Sequence, residues 1–227
     1  MTPAADLPSV LDALRRFYGA LPEPPDDAFG LYVWLALSFR TPPQRREAAV
    51  GALRQLRALT PDSLARAARG PLEAAVAHAG PLREERLRAL TAGAAAFRRH
   101  RDLDRALKGP LPEARAALEQ LPQLADADGE WLLLFAGDHP VLPADPHILR
   151  VLTRLGHDAP SDATHPDPTF NPTCARAAQE LEYDIRLLRR ATIYLSHHGR
   201  TTCTEGDPHC GVCPLLSGCR EGKARQH

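Results

Sequence analysis

Four of the five cysteines of this chain lie close together near its C-terminus, with the spacing C-x6-C-x2-C-x5-C. Four thiols this close cannot all be small buried hydrophobes, and disulfides inside one short loop would do little to brace 227 residues. Soft thiolate ligands at compact spacing bind zinc or an iron–sulfur cluster. Zinc sites usually contain two C-x2-4-C pairs, whereas this loop has one such pair flanked by single cysteines. The pattern therefore favours a 4Fe-4S cluster, with zinc as the alternative, and its candidate ligands are Cys203, Cys210, Cys213 and Cys219.

Composition restricts the compartment and the partners. No run of about eighteen apolar residues is present, and the N-terminus lacks a basic region followed by an apolar one, so we expect neither a membrane span nor a signal peptide. A thiol cluster beside one spare cysteine, Cys174, fits a reducing cytoplasm better than a secreted disulfide framework. The chain has 28 basic and 28 acidic residues. A net charge of zero is unusual for a protein that binds DNA, because Lys and Arg normally neutralise the phosphates.

Helical periodicity extends from end to end, so the sequence predicts an all-α fold. Apolar residues recur at helical spacing from Leu7 to Leu21, and Thr60-Pro61 is typical of a helix start. The irregular stretch 156–172 is predicted to be a surface loop. A single long helix is predicted from Cys174 to His197, and it leads the chain to the cysteine loop.

Three motifs follow one another along the chain: Leu121-Pro122, residues 145–151 (DPHILRV), and His198-Gly199-Arg200 before the cysteine loop. In this order they resemble the endonuclease III family, whose helix-hairpin-helix members are DNA glycosylases that excise damaged bases. Leu121-Pro122 is similar to the approach to the family's hairpin, and residues 145–151 resemble its D-T-H-[hydrophobic]-x-R-V motif. The distance between these two motifs matches the family without a gap. His198-Gly199-Arg200 and the cysteine spacing are similar to the entry to the family's iron–sulfur loop.

The resemblance implies two helical lobes on either side of a DNA groove. A six-helix barrel with a degenerate helix-hairpin-helix would be formed by residues 25–137. An iron–sulfur lobe would be formed by residues 1–24 and 138–227, and its 4Fe-4S cluster would be structural.

Asp145 is the candidate catalytic residue. Asp followed by Pro is also a common helix start, and the two roles are compatible. The resemblance implies that this carboxylate stabilises the sugar as the base departs, or orients the attacking water. The lysine that forms a Schiff base in the family's lyases is replaced by Ala127, and neither Lys108 nor Lys223 can be aligned with that position. We therefore expect no efficient β-lyase step.

The hairpin has also lost its glycines. The family's G-[VI]-G segment corresponds here to Gln123, Leu124 and Ala125. Side chains at the two glycine positions would strain the backbone that directs N–H groups at a phosphate. We predict that Asp128, three positions after Ala125, caps a helix over 130–135.

Further DNA-facing candidates follow from the resemblance. Arg40 would fill the space left by the flipped base, with an ordinary helix-end arginine as the alternative. Pro81 or Leu82 would be a second wedge. His147 would lie at the groove, with a solvated first-turn histidine as the alternative. The interval 204–209 contains two acids where the family carries basic residues, so we expect weak, salt-sensitive duplex binding.

Three functions remain open from the sequence. The first is a monofunctional DNA glycosylase, a monomer associated with the nucleoid in the cytoplasm, whose partner is double-stranded DNA with a damaged or mismatched base. The second is an inactive homologue that recognises distorted DNA. The third is a zinc-stapled helical interaction protein without a DNA role.

Overall fold

The fold of the chain was described from a computed structural model, which covers residues 6–122, 124, 126–159 and 170–225. Within these residues the protein is helical and contains no strand, which confirms the predicted all-α class. Two 3₁₀ turns lie at Cys210–Val212 and Leu216–Gly218. The α-helices are α1 (Leu7–Tyr18), α2 (Ala28–Ser38), α3 (Pro43–Gln55), α4 (Pro61–Arg66), α5 (Arg69–Ala77), α6 (Arg83–Arg99), α7 (Leu103–Leu107), α8 (Leu111–Leu118), α9 (Asp126–Phe135), α10 (Pro146–Leu155), α11 (Pro172–Glu180), α12 (Ile185–Thr201) and α13 (Arg220–Ala224).

The chain divides into two compact units. The central unit comprises Pro24–His139, and the terminal unit joins Met1–Glu23 to Pro140–His227. The assignment of a six-helix barrel to one and a cluster lobe to the other stays a prediction.

The central unit is built around α2. This helix is apolar almost all round, as expected for a helix buried on every side. It packs against α3, α6 and α9. Tyr32, 1% exposed, donates its hydroxyl to the carbonyls of Ala89 and Pro122 and so attaches the start of the hairpin segment to the core.

The terminal unit is organised by α10 and α12. One face of α10 is fully buried, through Ile148, Val151, Leu152 and Leu155. α12 packs against both α10 and α1, and α13 packs against α10. These contacts place the N-terminus of α10 beside the C-terminal half of α12, where the candidate catalytic residue lies.

Two predictions of local structure are wrong. The long helix from Cys174 to His197 is interrupted: α11 ends at Glu180 and α12 begins at Ile185. Glu182 and Tyr183 both have φ of 54°, in the left-handed region, and Asp184 caps the new helix through Leu187 N–H. Asp128 is not a helix cap, because α9 already begins at Asp126.

No helix in the described part of the chain is long and apolar enough to cross a bilayer. Of the predicted loop 156–172, positions 160–169 lie outside the described residues.

Candidate active site and cysteine cavity

Asp145 lies at the N-terminus of α10 as predicted for a helix cap. Its Oδ1 accepts a hydrogen bond from the backbone N–H of His147 at 2.7 Å, and Pro146 occupies the first helical position. The carboxylate is 4% exposed. Asp145 is therefore both a cap and a buried carboxylate, a combination that requires further polar partners.

Those partners come from α12. Ser196 donates its hydroxyl to Asp145 Oδ2 at 3.0 Å, and Arg200 Nη2 lies 3.4 Å from the same oxygen. Arg200 Nε also contacts Ser196 Oγ at 3.3 Å. Both carboxylate oxygens are thus oriented by protein donors.

His147 follows in the first turn of α10 and is half-buried. Burial lowers the pKa of His147, and the positive charge of Arg200 lowers it further. Arg150 Nη2 donates to Nδ1 of His147 at 2.9 Å, since a guanidinium can only donate. Both effects favour the uncharged form of this imidazole.

Gly199 allows α10 and α12 to approach closely. A Cβ at this position would lie 2.6 Å from the backbone oxygen of His147. Backbone atoms, unlike a flexible side chain, cannot easily move away from such a clash. The glycine of the His-Gly-Arg motif therefore has a packing role next to the candidate catalytic residue.

Two arginines one turn apart on α10 connect it to the cysteine loop. Arg150 donates to the carbonyls of Cys203 and Gly199 at 2.9 and 2.5 Å. Arg154 donates to the carbonyls of Thr204 and Glu205 at 2.6 and 2.9 Å. One helix therefore carries the candidate carboxylate at its start and fixes the loop at its end.

The predicted ligand cysteines line one cavity in the terminal unit. Apolar side chains complete much of its wall, including Val151, Leu155 and Leu215. The thiols are Cys203, Cys210, Cys213 and Cys219.

Three of the thiols have hydrogen-bonding partners suited to thiolates. Arg154 Nη1 lies 3.3 Å from the sulfur of Cys203, and the Gly222 N–H donates to the sulfur of Cys219 at 3.3 Å. His198 Nε2 lies 3.7 Å from the sulfur of Cys213. Burial raises the pKa of Cys213 to about 11, and burial also raises the pKa of Cys219. No three His, Cys, Asp or Glu side chains in the described part of the chain converge as ligands of a single metal ion.

In the central unit, two loops carry the predicted wedge residues. Arg40 and Leu82 both have left-handed backbones, with φ of 50° and 68°. Pro81 and Arg40 are exposed, and Leu82 is half-buried. Phe39 is 64% exposed with the Arg40 guanidinium 5.5 Å from its ring, and sequence reasoning did not single it out.

A buried arginine joins these loops. Arg86, 3% exposed, donates from Nη2 to the Phe39 carbonyl at 2.8 Å and to Thr41 Oγ1 at 2.6 Å. Its Nη1 donates to the Pro81 carbonyl. Burial lowers the pKa of Arg86. Nothing local in the sequence separates Arg86 from the chain's many surface arginines.

The degenerate hairpin is described only in part. Gln123 and Ala125 lie outside the described residues, whereas Leu124 is half-buried. Ala127 lies in the first turn of α9. Lys108 ends α7 and Lys223 lies in α13, so neither lysine is in the hairpin segment.

Several solved structures of known proteins share the fold of this chain. The fold is similar to a trapped endonuclease III–DNA covalent intermediate and to a non-covalent endonuclease III–DNA complex, both with a TM-score of 0.68, at 21% and 22% identity. Both similarities cover 97% of this chain. They cover 97% of the chain in the covalent intermediate and 96% of the chain in the non-covalent complex. A thermostable thymine-DNA glycosylase has the same TM-score at 13% identity, over 96% of this chain and 97% of that one. The chain therefore has the fold of these DNA glycosylases.

Sequence comparison also finds similarity to endonuclease III. Endonuclease III of Bacillus subtilis (strain 168) is 30% identical over 125 residues, or 52% of this chain and 50% of the relative. Endonuclease III of Haemophilus influenzae (strain ATCC 51907 / DSM 11121 / KW20 / Rd) is 30% identical over 119 residues, or 52% of each. The chain thus spans about half the length of the curated relatives it matches, and no protein-family model matches it. The chain is thus similar in sequence and in fold to endonuclease III, the family that its motifs resemble.

Proposed function

We propose that this protein is a monofunctional DNA glycosylase, which hydrolyses the N-glycosidic bond of a damaged or mismatched base in duplex DNA. The observation that carries the proposal is the buried Asp145 carboxylate, held at a helix N-terminus by donors from two helices. In this family fold, such a group suits the positive charge that develops on the sugar as the base departs.

The surroundings of Asp145 favour an electrostatic role. Oδ1 is occupied by the His147 N–H, and Oδ2 by Ser196 and Arg200. Such a carboxylate is oriented in advance and needs little rearrangement when charge develops nearby. The Arg200 contact, at 3.4 Å, is the longest of the three.

The missing lysine determines the predicted product. A lyase of this family needs an amine nucleophile that forms a Schiff base with the sugar. Ala127 has none. We therefore expect water to complete the reaction and leave an abasic site with an intact backbone.

The cysteine cavity fits a 4Fe-4S cluster as a structural cofactor. The cluster requires four thiolates around one space, and Cys203, Cys210, Cys213 and Cys219 line one cavity. Raised thiol pKa values oppose ionisation until a cation replaces the proton, as iron would do. When bound, the cluster would fix the loop after α12, and it supplies no step in base removal.

Duplex binding is proposed to be weak and strongly dependent on salt. Glu205 and Asp207 lie in the cysteine loop and are exposed, and the net charge is zero. These carboxylates repel the phosphates and lower the affinity, while the phosphates that the arginines do neutralise make the remaining binding depend on salt. We propose further that the protein acts as a monomer on the nucleoid in the cytoplasm.

The test uses the purified full chain with duplexes that carry oxidised pyrimidines, uracil or mismatches. Products are analysed with and without alkali, for wild type and Asp145→Asn. Asn caps helices as well as Asp, so the variant keeps the fold while it loses the charge. Strand breaks that appear only after alkali, and only in wild type, support the proposal. Breaks without alkali would contradict the monofunctional assignment.

The hairpin supports one second candidate. Loss of both glycines removes the backbone geometry that binds a phosphate in the family, which favours an inactive homologue that recognises distorted DNA. No base release from any substrate at enzyme excess, together with preferential binding to a mismatched duplex, would establish this alternative.

A further inference from the structure

A chain of hydrogen bonds leads from α1 to one of the candidate cluster ligands. Tyr18, at the end of α1, has its hydroxyl 2.8 Å from Nδ1 of His198 and 2.6 Å from Oγ1 of Thr202. On the other side of the ring, Nε2 of His198 lies 3.7 Å from the sulfur of Cys213. His198 is 1% exposed, so its two ring nitrogens must be satisfied within the protein.

Which atom donates in each of these hydrogen bonds depends on whether the sulfur of Cys213 is a thiol or a thiolate. A neutral imidazole has one N–H and one lone pair, so His198 can donate at only one end. A thiolate bound to iron accepts hydrogen bonds and has no proton to give. It therefore selects the tautomer with the proton on Nε2, and Nδ1 must then accept. Tyr18 can supply that donor, because the Thr202 hydroxyl can in turn donate to the Tyr18 oxygen at 2.6 Å.

We propose that His198 is a positioning residue for the cofactor: its Nε2–H donates to Cys213 Sγ, in the tautomer fixed by Tyr18, and this bond raises the reduction potential of the cluster. The inference rests on the 4Fe-4S cofactor proposed above. Reduction adds one electron, supplied by an electrode, to the cluster and its thiolates. A hydrogen bond to a ligand sulfur stabilises the more negative state and so favours reduction.

Other donors also contact candidate ligands, among them the backbone of Leu215 at Cys213, but they have different origins. Gly222 donates from the backbone to Cys219, and Arg154 donates a charged group to Cys203. Unlike these donors, His198 is a neutral side chain. It is also linked through Tyr18 to helix α1. Its contribution can therefore be removed by one substitution without a change in net charge.

The test is voltammetry of the loaded full chain for wild type, His198→Leu and His198→Gln. The Leu variant removes the donor, and we expect a lower midpoint potential. The Gln variant retains an N–H donor of similar reach, and we expect a value close to wild type. His197→Leu is the matched control, because His197 packs edge-on against Tyr18 at 4.6 Å between ring centres and should leave the potential unchanged.

The outcomes separate this inference from the cofactor proposal. A wild-type protein without the visible absorbance of a cluster would overturn both. A normal cluster with the same potential in all three proteins would overturn only the role of His198. If His198→Leu fails to fold, wild type labelled with ¹⁵N-histidine gives the answer by pulsed EPR of the paramagnetic cluster. A ¹⁵N coupling through the N–H···S bond supports the inference, and its absence overturns it.

Discussion

Ser196 donates a hydrogen bond to Oδ2 of Asp145, which joins α12 to the candidate catalytic carboxylate at 3.0 Å. Both side chains are buried, with exposures of 5% and 4%. A serine at this position therefore contributes to the site as well as to helix packing.

Ser196→Ala is expected to lower both stability and base release. Loss of a hydrogen bond to a charged acceptor costs about 1.5–3 kcal/mol. If half of that acts on the transition state, the rate of base release falls roughly three- to tenfold. Single-turnover assays and thermal melts measure the two effects. Thr192→Val on the same helix is the control, because Thr192 donates only to its own helix, at Leu188. Equal loss of base release in both variants would contradict a specific role for Ser196.

Gly199→Ala is expected to destabilise the terminal unit by about 1–3 kcal/mol, because the added methyl must push α10 away from α12. Its Cβ would meet the His147 backbone oxygen at 2.6 Å. Gly51→Ala is the matched control, since Gly51 lies inside α3 and its added Cβ meets nothing within 4 Å. That control should be stabilised by roughly 0.5–1 kcal/mol. Urea unfolding followed by circular dichroism measures the change in the free energy of unfolding of both variants. A Gly199→Ala protein as stable as wild type would refute the packing role.

The sequence identifies the motif residues, but it does not show what those residues contact in the folded protein. Asp145 and Gly199 belong to separate fragments that resemble one family, and only the fold shows that Gly199 packs on the residue next but one to Asp145. Thr60-Pro61 is a local signal, and it does begin a helix with a reciprocal capping box. Local signals of this kind depend on neighbouring residues alone.

Hydrogen-bond partners that are far apart in the sequence have no local sequence signal. Ser196 and Asp145 are 51 residues apart, and Arg86 and Phe39 are 47 apart. The break between α11 and α12 was also missed, because Glu182 and Tyr183 adopt left-handed backbones without a glycine or proline to mark them. Tertiary packing overrides helix propensity at such a position.

Tyr32 makes the stability of the central unit depend on pH in the alkaline range. Burial, and then the charge of Asp128, raises the pKa of Tyr32 to about 12 from the usual 10.0. The unfolded chain therefore loses this proton first, so the stabilisation is complete below pH 10.0 and is lost as the pH rises through about 12. The total loss is roughly 2–3 kcal/mol. Urea midpoints across this range should fall in wild type but fall less in Tyr32→Phe. Tyr183→Phe, at a 46% exposed position, should retain the wild-type slope.

Arg154→Met is expected to loosen the cysteine loop. The substitution leaves the carbonyls of Thr204 and Glu205 without their guanidinium donor and removes the contact with Cys203 Sγ. If the cavity holds the proposed cluster, its visible absorbance should decay several-fold faster under a chelator. Arg225→Met is the control, because Arg225 is exposed and pairs only with Glu221 in its own helix. Identical decay in the two variants would show that Arg154 does not protect the loop.

Arg86→Met tests whether one buried side chain organises the two exposed loops of the central unit. It removes the guanidinium hydrogen bonds to the carbonyls of Phe39 and Pro81, and a hydrogen bond from a charged donor contributes about 1.5–3 kcal/mol. We therefore expect lower stability, faster proteolysis within 38–42 and 79–82, and, if these loops contact DNA, a several-fold weaker affinity for a mismatched duplex. Arg88→Met on the same helix removes an equal charge from an exposed position, where the 4.0 Å pair with Glu85 contributes little. If both variants lose the same affinity, the effect is one of net charge, and the arrangement of the loops by Arg86 has no part in binding.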